Sequence, residues 1–307
     1  MKDVIALDIG GTSVKCGLYD ESGVLKKKWR VSTNTNGGGK SIFKDIHASF
    51  QKEGIDVSAL SGIGVGVPGP VKDGTVHGAV NLGWETVNVP EALKTELKSG
   101  VPVYVGNDAN VAALGEFSKR GEKVDNMLLI TLGTGVGGGI VLNGDIVEGA
   151  HGGAGEIGHM SMDPEGPLCS CGGHGCLETY SSATAVKRMA NEGIKVNPDS
   201  SLANLSYIGG RDVFEHAHQG DALSEGIIEE VAEQLGRAIA NVNTTLDLPL
   251  ILIGGGLAQA GEYLLSKVRG SYQAACFGTS CQAEIKPASL GNDAGMVGAF
   301  ELVMRRG

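Results

Sequence analysis

The sequence predicts an α/β protein with two domains. Its 307 residues suffice for two domains of ordinary size, and 41% hydrophobic with 20% charged residues is typical of globular chains. The 50 glycines cluster directly after short apolar runs instead of spreading through linkers. This pattern is typical of strands that end in tight turns, where the backbone must approach something closely.

The first half of the chain alternates short apolar runs with turn residues. Helices are predicted where apolar residues recur at helical spacing, as at Ile42, Ile46 and Phe50, or where a proline such as Pro90 opens the segment. The predicted strands are 4–9, 14–19, 24–31, 63–67 and 101–105, and the predicted helices are 41–53, 90–98 and 109–119.

The second half opens with a strand–turn–strand unit at 127–142 that resembles the first hairpin. An offset of 123 residues aligns Gly10 with Gly133 and also pairs Asp20 with Asn143, which suggests a duplication. Downstream, a long amphipathic helix is predicted at 223–246 and a strand at 250–253. The strand is followed by the glycine turn 254–256 and a helix through Lys267, and a last helix is predicted at 294–304. We predict a smaller domain from 1–118 plus 292–307, and a larger domain from 119–291.

Charge and hydropathy exclude several classes of protein. A net charge of -10 argues against a nucleic-acid partner, which is bound through Lys and Arg. No apolar run approaches the roughly 20 residues that cross a bilayer, and Lys2-Asp3 leads straight into a short strand, unlike a signal peptide. We therefore expect a cytoplasmic protein without membrane association, whose six cysteines are reduced thiols.

Three glycine turns at strand ends are candidate nucleotide sites. In the first, Asp8 ends a strand and is placed to hold Mg²⁺ through water, while backbone N–H groups of the turn can surround phosphate oxygens. The alternative for this turn alone is an ordinary β-hairpin. The second turn also fits phosphate, and the third fits the adenosine end. The candidate residues are Asp8, Gly10, Gly11, Thr12 and Lys15 in the first turn, Gly133, Thr134 and Gly135 in the second, and Gly254, Gly255 and Gly256 in the third.

Two matches to G-x-G-x-x-G do not indicate a dinucleotide site. The fingerprint requires a helix to open immediately after the glycines. The match at 64–69 contains Pro68 and precedes Pro70, and the match at 133–138 is followed by a strand-like run. No G-x-x-x-x-G-K-[ST] occurs, so the P-loop class is excluded as well.

Five segments together resemble the ROK family of sugar kinases, in the actin/hexokinase-like ATPase superfamily. They are 6–15, 107–116, 132–139, 155–159 and 169–178, and the likeness runs over nearly the whole chain. The resemblance implies a two-domain actin-like/ribonuclease H-like ATPase fold, with mixed sheets flanked by helices. It also implies ATP and Mg²⁺ in a cleft between the domains, a hexose at its base, and a homodimer.

The acceptor side of such a reaction needs a carboxylate that takes the hydroxyl proton. Asp108 follows a predicted strand and suits this role, although an Asp at this point can simply cap the helix. The resemblance favours catalysis, because Asn107 and Asp108 match the family's sugar-binding Asn and catalytic Asp. It also implies further sugar ligands at Asn81, Glu156, His159 and Glu178; nearby Trp84 is interpreted as a core residue.

A closed zinc site is predicted by the spacing H-x9-C-x-C-x4-C. His159, Cys169, Cys171 and Cys176 would be four soft ligands with no position left for water, which is typical of structural zinc. Free buried thiols are the alternative, but the spacing also matches the family's zinc motif. Zinc would fix the loop between Glu156 and Glu178, whereas His174 is interpreted as a surface residue. The remaining cysteines, Cys16, Cys276 and Cys281, are interpreted as packing residues.

Glucose is the predicted hexose, with the 6-hydroxyl as acceptor. Segments 81–84 and 178–185 resemble glucokinases more than N-acetylmannosamine or N-acetylglucosamine kinases, which remain the alternative. Fructose and allose are less favoured. The family also contains sugar-responsive repressors, but these carry a DNA-binding domain ahead of the Asp8 motif, where only seven residues stand here. A binding module that has lost activity is a third possibility.

Overall fold

The computed structural model describes residues 2–120 and 124–307 as a mixed α/β chain. The strands are β1 Asp3–Ile9, β2 Ser13–Tyr19, β3 Leu25–Ser32, β4 Leu60–Val67, β5 Val71–Lys72, β6 Thr75–Ala79, β7 Trp84–Asn88, β8 Val103–Asn107, β9 Met127–Leu132, β10 Val136–Leu142, β11 Asp145–Ile146, β12 Leu250–Gly254 and β13 Glu284–Pro287. The helices are α1 Ile42–Glu53, α2 Val89–Leu97, α3 Asp108–Lys119, α4 Glu178–Ser181, α5 Ala183–Val196, α6 Gly210–His218, α7 Ala222–Leu246, α8 Glu262–Ala275 and α9 Ala294–Arg306. No helix in these described ranges is long and apolar enough to span a bilayer.

The first sheet has the order β3-β2-β1-β4-β8. Strands β1, β4 and β8 run parallel, and Asp8, Gly66 and Gly106 lie in one row across them. Because the carboxyl ends of parallel strands meet at one edge of a sheet, Asp8 and Asn107 lie at the same edge. The sheet therefore gathers predicted nucleotide and sugar residues from segments about a hundred residues apart.

The second sheet repeats the strand order of the first. Its order is β11-β10-β9-β12-β13, with β9, β12 and β13 parallel. In both sheets the first hairpin strand of the segment lies at the centre, with its hairpin partner on one side and two parallel strands on the other. The duplication suggested by the offset of Gly10 and Gly133 thus has a counterpart in topology. A small third sheet has the order β5-β6-β7.

The terminal helix α9 packs on α3 and on the first sheet. Met296, Phe300 and Val303 are buried in one cluster with Val4 of β1 and Val111 of α3. A Cβ on Gly115 of α3 would overlap the backbone of α9, so the two helices require glycine at this crossing. The position of α3, and hence of Asp108 at its start, is fixed by this packing.

Two compact units divide the chain. One comprises the described residues of Met1–Asp125 with Gly139–Gly155 and Leu290–Gly307, and the other comprises Asn126–Gly138 and Glu156–Ser289. Segment Gly139–Gly155 belongs to the first unit because Gly139 packs against α3, where a Cβ would overlap the Ala109 carbonyl. The sequence-based division places that segment in the larger domain.

The prediction that all six cysteines are reduced thiols is wrong for Cys276 and Cys281. They form a disulfide, with a Cα–Cα distance of 5.3 Å. The chain leaves α8 at Cys276 and turns through a short 3-10 segment, Gly278–Gln282, which returns Cys281 to within bonding range. Cys16, Cys169, Cys171 and Cys176 are free thiols, and Cys16 is a buried core residue as predicted.

Candidate active site and metal centre

Asp8 and Lys15 form an ion pair at the first glycine turn. They face each other in the register of β1 and β2, and Lys15 Nζ donates to Asp8 Oδ2 at 2.8 Å. Lys15 Nζ also donates to the carbonyl oxygen of Asn292, at 3.1 Å. Both side chains are half-buried, and the carboxylate and the ammonium neutralise each other at the turn.

The first turn touches the segment that carries Asn81. A Cβ on Gly11 would lie 3.1 Å from the Asn81 carbonyl oxygen, which leaves little room for a side chain. The turn is braced by Thr33, whose hydroxyl donates to the Gly10 carbonyl at 2.6 Å and whose N–H donates to the Thr12 carbonyl at 3.0 Å. The sequence did not identify Thr33, because its pairing follows from the register of β2 and β3.

Gly295 is a second residue that sequence analysis missed. It lies in the first turn of α9, and a Cβ there would come within 2.8 Å of the Asp8 carboxyl carbon. Glycine at this position therefore lets the start of α9 approach the Asp8 side chain.

Asn107, and not Asp108, is the residue that caps α3. Its Oδ1 accepts hydrogen bonds from the N–H groups of Ala109 and Asn110, at 3.0 and 3.2 Å, and its Nδ2 donates to the Gly69 carbonyl at 3.1 Å. One amide hydrogen of Asn107 is left for a ligand. Asp108, in the first helical turn, places Oδ1 2.8 Å from the Ala109 nitrogen. The N-cap of α3 is therefore Asn107, and the alternative interpretation of Asp108 as the cap does not hold.

The second glycine turn is held from three sides by the segment 178–184. Glu178 Oε2 accepts a hydrogen bond from the Val136 N–H at 3.1 Å, and a Cβ on Gly135 would overlap that oxygen. The Ala183 N–H donates to the Gly133 carbonyl at 2.8 Å, and the Thr184 hydroxyl donates to the Thr134 carbonyl at 2.7 Å. This contact joins a predicted sugar ligand directly to a predicted phosphate turn.

The third glycine turn lies beside the second. Gly255 has a φ of 89°, and its Cβ would overlap the backbone of Leu132, which immediately precedes Gly133. Only glycine combines this conformation with this approach. The sequence predicted that a helix opens directly after the turn, but a 3-10 turn, Leu257–Ala260, comes first and α8 begins at Glu262. Gly255 and Gly256 are exposed, as a ligand-facing turn requires.

The four predicted metal ligands come together in space. The ligand atoms of His159, Cys169, Cys171 and Cys176 all lie within 4.8 Å of one another. The Cys171 and Cys176 sulfurs are 3.6 Å apart, and Cys169 Sγ lies 3.7 Å from His159 Nδ1. Tetrahedral zinc with sulfur at about 2.3 Å spaces its ligand atoms by roughly 3.5–3.8 Å. The cluster therefore fits zinc in size and donor type.

The thiols of the cluster differ in acidity. The Gly173 N–H and the Cys169 side chain lower the pKa of the Cys171 thiol to about 7, whereas burial raises the pKa of Cys176 to about 12. A thiolate is therefore available at Cys171 near neutral pH, and a bound cation would favour the thiolate of Cys176 as well. His174 is exposed, with Nδ1 3.0 Å from the Gly166 carbonyl, and lies outside the cluster as predicted.

Glu156 and His159 lie at the two ends of one short turn. The 3-10 turn Ile157–His159 follows Glu156, and the His159 N–H donates to the Glu156 carbonyl at 3.1 Å. Gly158 inside it lies against the Val136 backbone, where a Cβ would overlap the carbonyl oxygen. Trp84 is buried and stacked on Phe43 at 5.3 Å, which confirms that it is a core residue and not a sugar platform.

Comparison with known proteins identifies the family. The family model described as ROK family matches residues 4–306, so the chain belongs to the ROK family. A glucokinase of Halalkalibacterium halodurans is 42% identical over 98% of this chain and 95% of its own length. An N-acetylmannosamine kinase of Yersinia pseudotuberculosis is 32% identical over 85% of each chain. The crystal structure of a ROK family glucokinase from Streptomyces griseus, in complex with glucose and AMPPNP, has a TM-score of 0.81 at 33% identity and covers 99% of this chain.

Proposed function

We propose that this chain is an ATP-dependent glucokinase, which transfers the γ-phosphoryl group of ATP to the 6-hydroxyl of glucose. One observation carries the proposal: β8 ends at Asn107 and is followed directly by Asp108, at the same sheet edge as Asp8, in a chain similar over its full length to glucokinases. A phosphate-binding turn and a carboxylate for the acceptor are the two parts that phosphoryl transfer requires.

In this proposal Asp108 is the general base. Its carboxylate accepts the proton of the 6-hydroxyl as the oxygen attacks, and Asn107 donates its remaining amide hydrogen to the sugar. The other hydroxyls of the sugar would be bound by Asn81, Glu156, His159 and Glu178. The carboxylates of Glu156 and Glu178 suit this role because each can accept hydrogen bonds from two adjacent hydroxyls. Mg²⁺, held through water by Asp8, would neutralise charge on the transferred group.

The nucleotide would be bound by the three glycine turns. N–H groups of the first and second turns would cradle the phosphates, and the third would receive the adenosine end. Lys15 supplies positive charge at the first turn once a phosphate competes with Asp8 for it. Zinc at His159, Cys169, Cys171 and Cys176 would be structural, fixing the loop between Glu156 and Glu178, with the second ring nitrogen of His159 available to the sugar.

An N-acetylhexosamine kinase is the second candidate, because an N-acetylmannosamine kinase is among the similar proteins. The deciding experiment measures ADP release with Mg²⁺ and ATP against glucose, N-acetylmannosamine, N-acetylglucosamine, fructose and allose. We expect the highest kcat/KM with glucose. A higher kcat/KM with N-acetylmannosamine would favour the N-acetylhexosamine kinase over the glucokinase. No turnover with any of these sugars would refute the proposal of a sugar kinase. The homodimer and the cytoplasmic location remain predictions, and the Cys276–Cys281 disulfide is unusual for a reducing compartment.

A further inference from the structure

Ser170 reaches the Glu178 carboxylate from within the metal loop. It stands between the ligands Cys169 and Cys171, and its hydroxyl donates to Glu178 Oε1 at 3.3 Å. The other oxygen, Oε2, accepts from the Val136 N–H at 3.1 Å. The two carboxylate oxygens therefore accept hydrogen bonds from two different segments of the chain.

Two held oxygens fix the plane of a carboxylate. Glu178 begins α4 right after Leu177, and its carboxylate fits against Gly135 only because that residue lacks a Cβ. The two oxygens of a carboxylate offer about four lone-pair sites, so Glu178 keeps acceptor capacity for further hydrogen bonds. Cys169 Sγ also lies 3.9 Å from Oε1, a longer contact made by a weak sulfur donor. The Ser170 hydroxyl is the nearer of the two and the one with an oxygen donor.

We propose that Ser170 is a positioning residue, which orients the Glu178 carboxylate to accept hydrogen bonds from two adjacent hydroxyls of the sugar. The proposal rests on the proposed function of Glu178 as a sugar ligand. Ser170 would thus link the position of the metal loop to the orientation of Glu178. The loop would affect sugar binding although the metal does not contact the sugar. Because the hydroxyl lies between two ligands, its position is defined by the same backbone that presents both thiolates.

The test compares Ser170→Ala with Ser170→Thr and a matched control, Ser161→Ala. Ser161 lies in the same loop, and its hydroxyl donates to the His174 carbonyl at 3.3 Å, away from Glu178. We expect Ser170→Ala to raise both the glucose KM and the calorimetric Kd for glucose without ATP about fivefold, the factor for loss of one hydrogen bond. The ATP KM, zinc content and Tm should stay at parent values. Ser170→Thr, which keeps the hydroxyl, should restore the glucose KM, and Ser161→Ala should not alter it.

Three results would overturn the inference. A Ser170→Ala protein with parent glucose KM and Kd would show that the hydroxyl does not position Glu178. Loss of zinc or of Tm together with glucose affinity would make Ser170 part of the loop's structure instead. A parent protein that turns over no hexose would remove the proposed function and this inference with it. In the first two cases the parent remains active, so the failures are distinguishable.

Discussion

Gly298 of α9 lies directly against Val111 of α3, so closely that a Cβ on the glycine would overlap the Val111 carbonyl oxygen. The same crossing brings Gly115 of α3 against Ala294 of α9. Since α3 begins at Asp108, these two glycines determine how far the proposed base stands from the sheet edge that holds Asp8. The crossing is therefore a feature of the site as well as of the core.

Gly298→Ala should destabilise the protein by about 3 kcal/mol, because the added methyl group forces α3 and α9 apart. Urea denaturation measures the free energy of unfolding. Gly270→Ala is the control: this glycine is also helical, in α8, but has open space around its Cβ position. That variant should be more stable than the parent by up to about 1 kcal/mol, since alanine favours helix. Equal stability of the two variants would contradict the packing argument.

Asp108→Asn should lower kcat by about 10²–10⁴, the usual contribution of a general base. The amide keeps the shape of the side chain, so the glucose KM and the Tm should change little. Steady-state kinetics with coupled ADP detection measures both constants. A variant that retains more than a tenth of the parent kcat would exclude Asp108 as the base.

Cys171→Ala should lose zinc and sugar phosphorylation together, because the loop between Glu156 and Glu178 loses its fourth ligand. Metal analysis of the purified protein and ADP release in the presence of glucose provide the two measurements. His174→Ala is the control within the same loop, and it should retain zinc and activity because His174 lies outside the cluster. A zinc-free Cys171→Ala protein with full activity would refute the structural role of the metal.

Reduction of the Cys276–Cys281 disulfide should lower the free energy of unfolding by about 2 kcal/mol, the amount expected for so short a closed loop. The comparison is denaturation of the parent with and without reductant, beside the double variant Cys276→Ser/Cys281→Ser. The double variant should resemble the reduced parent and should not respond to reductant. A parent protein that is equally stable in both conditions would show that the bond contributes nothing.

Asp221 should make stability depend on acid pH. Partial burial opposes its ionisation, but hydrogen bonds from the Ser224 N–H and hydroxyl and from Ser200 and Ser201 hold the pKa of its carboxyl well below the usual range. A depressed pKa in the folded state stabilises the protein above the unfolded pKa, near 3.9, and this contribution is lost as pH falls below that value.

The matching experiment is denaturation of the parent and Asp221→Asn between pH 6 and 2.5. The parent should lose stability more steeply below pH 4, and the variant should be about 2 kcal/mol less stable near neutral pH. Asp56→Asn, at the cap of the exposed 3-10 turn Val57–Ala59, is a control that should change less. Parallel pH profiles for the parent and Asp221→Asn would contradict the assignment.

Many of the strands and helices, and the metal cluster, could be predicted because each is local in sequence. Helices α5 and α6 and the small sheet β5-β6-β7 were not identified. Apolar periodicity located α7 within one residue of its start, and four ligands within eighteen positions specified the cluster. The glycine turns were equally visible, since each directly follows an apolar run. Residue types and spacing suffice where the chain itself brings the partners together.

The contacts that position the site could not be predicted, because they join distant segments. Glu178 meets Val136 across 42 residues, and Gly295 meets Asp8 from the other end of the chain. From the sequence, only Asp108 was considered as a possible cap of α3, whereas the structure places its neighbour Asn107 at the cap. No second pair of cysteines or histidines near Cys276 and Cys281 indicated that the two side chains act together. Their disulfide depends on how the chain turns after α8, which the sequence did not predict.

If the first glycine turn binds ATP as proposed, the ion pair of Asp8 and Lys15 would affect which form of the nucleotide binds. Because the two side chains cancel, the first glycine turn offers an incoming polyphosphate no excess positive charge from this pair. Free ATP, with about four negative charges, would meet a carboxylate whose counter-ion it must first displace. A nucleotide that arrives with its divalent cation supplies a new partner to Asp8 at the moment it captures Lys15, so the exchange of partners conserves charge at both side chains. Under the proposed function, the turn would thereby discriminate by net charge against a nucleotide that carries no metal.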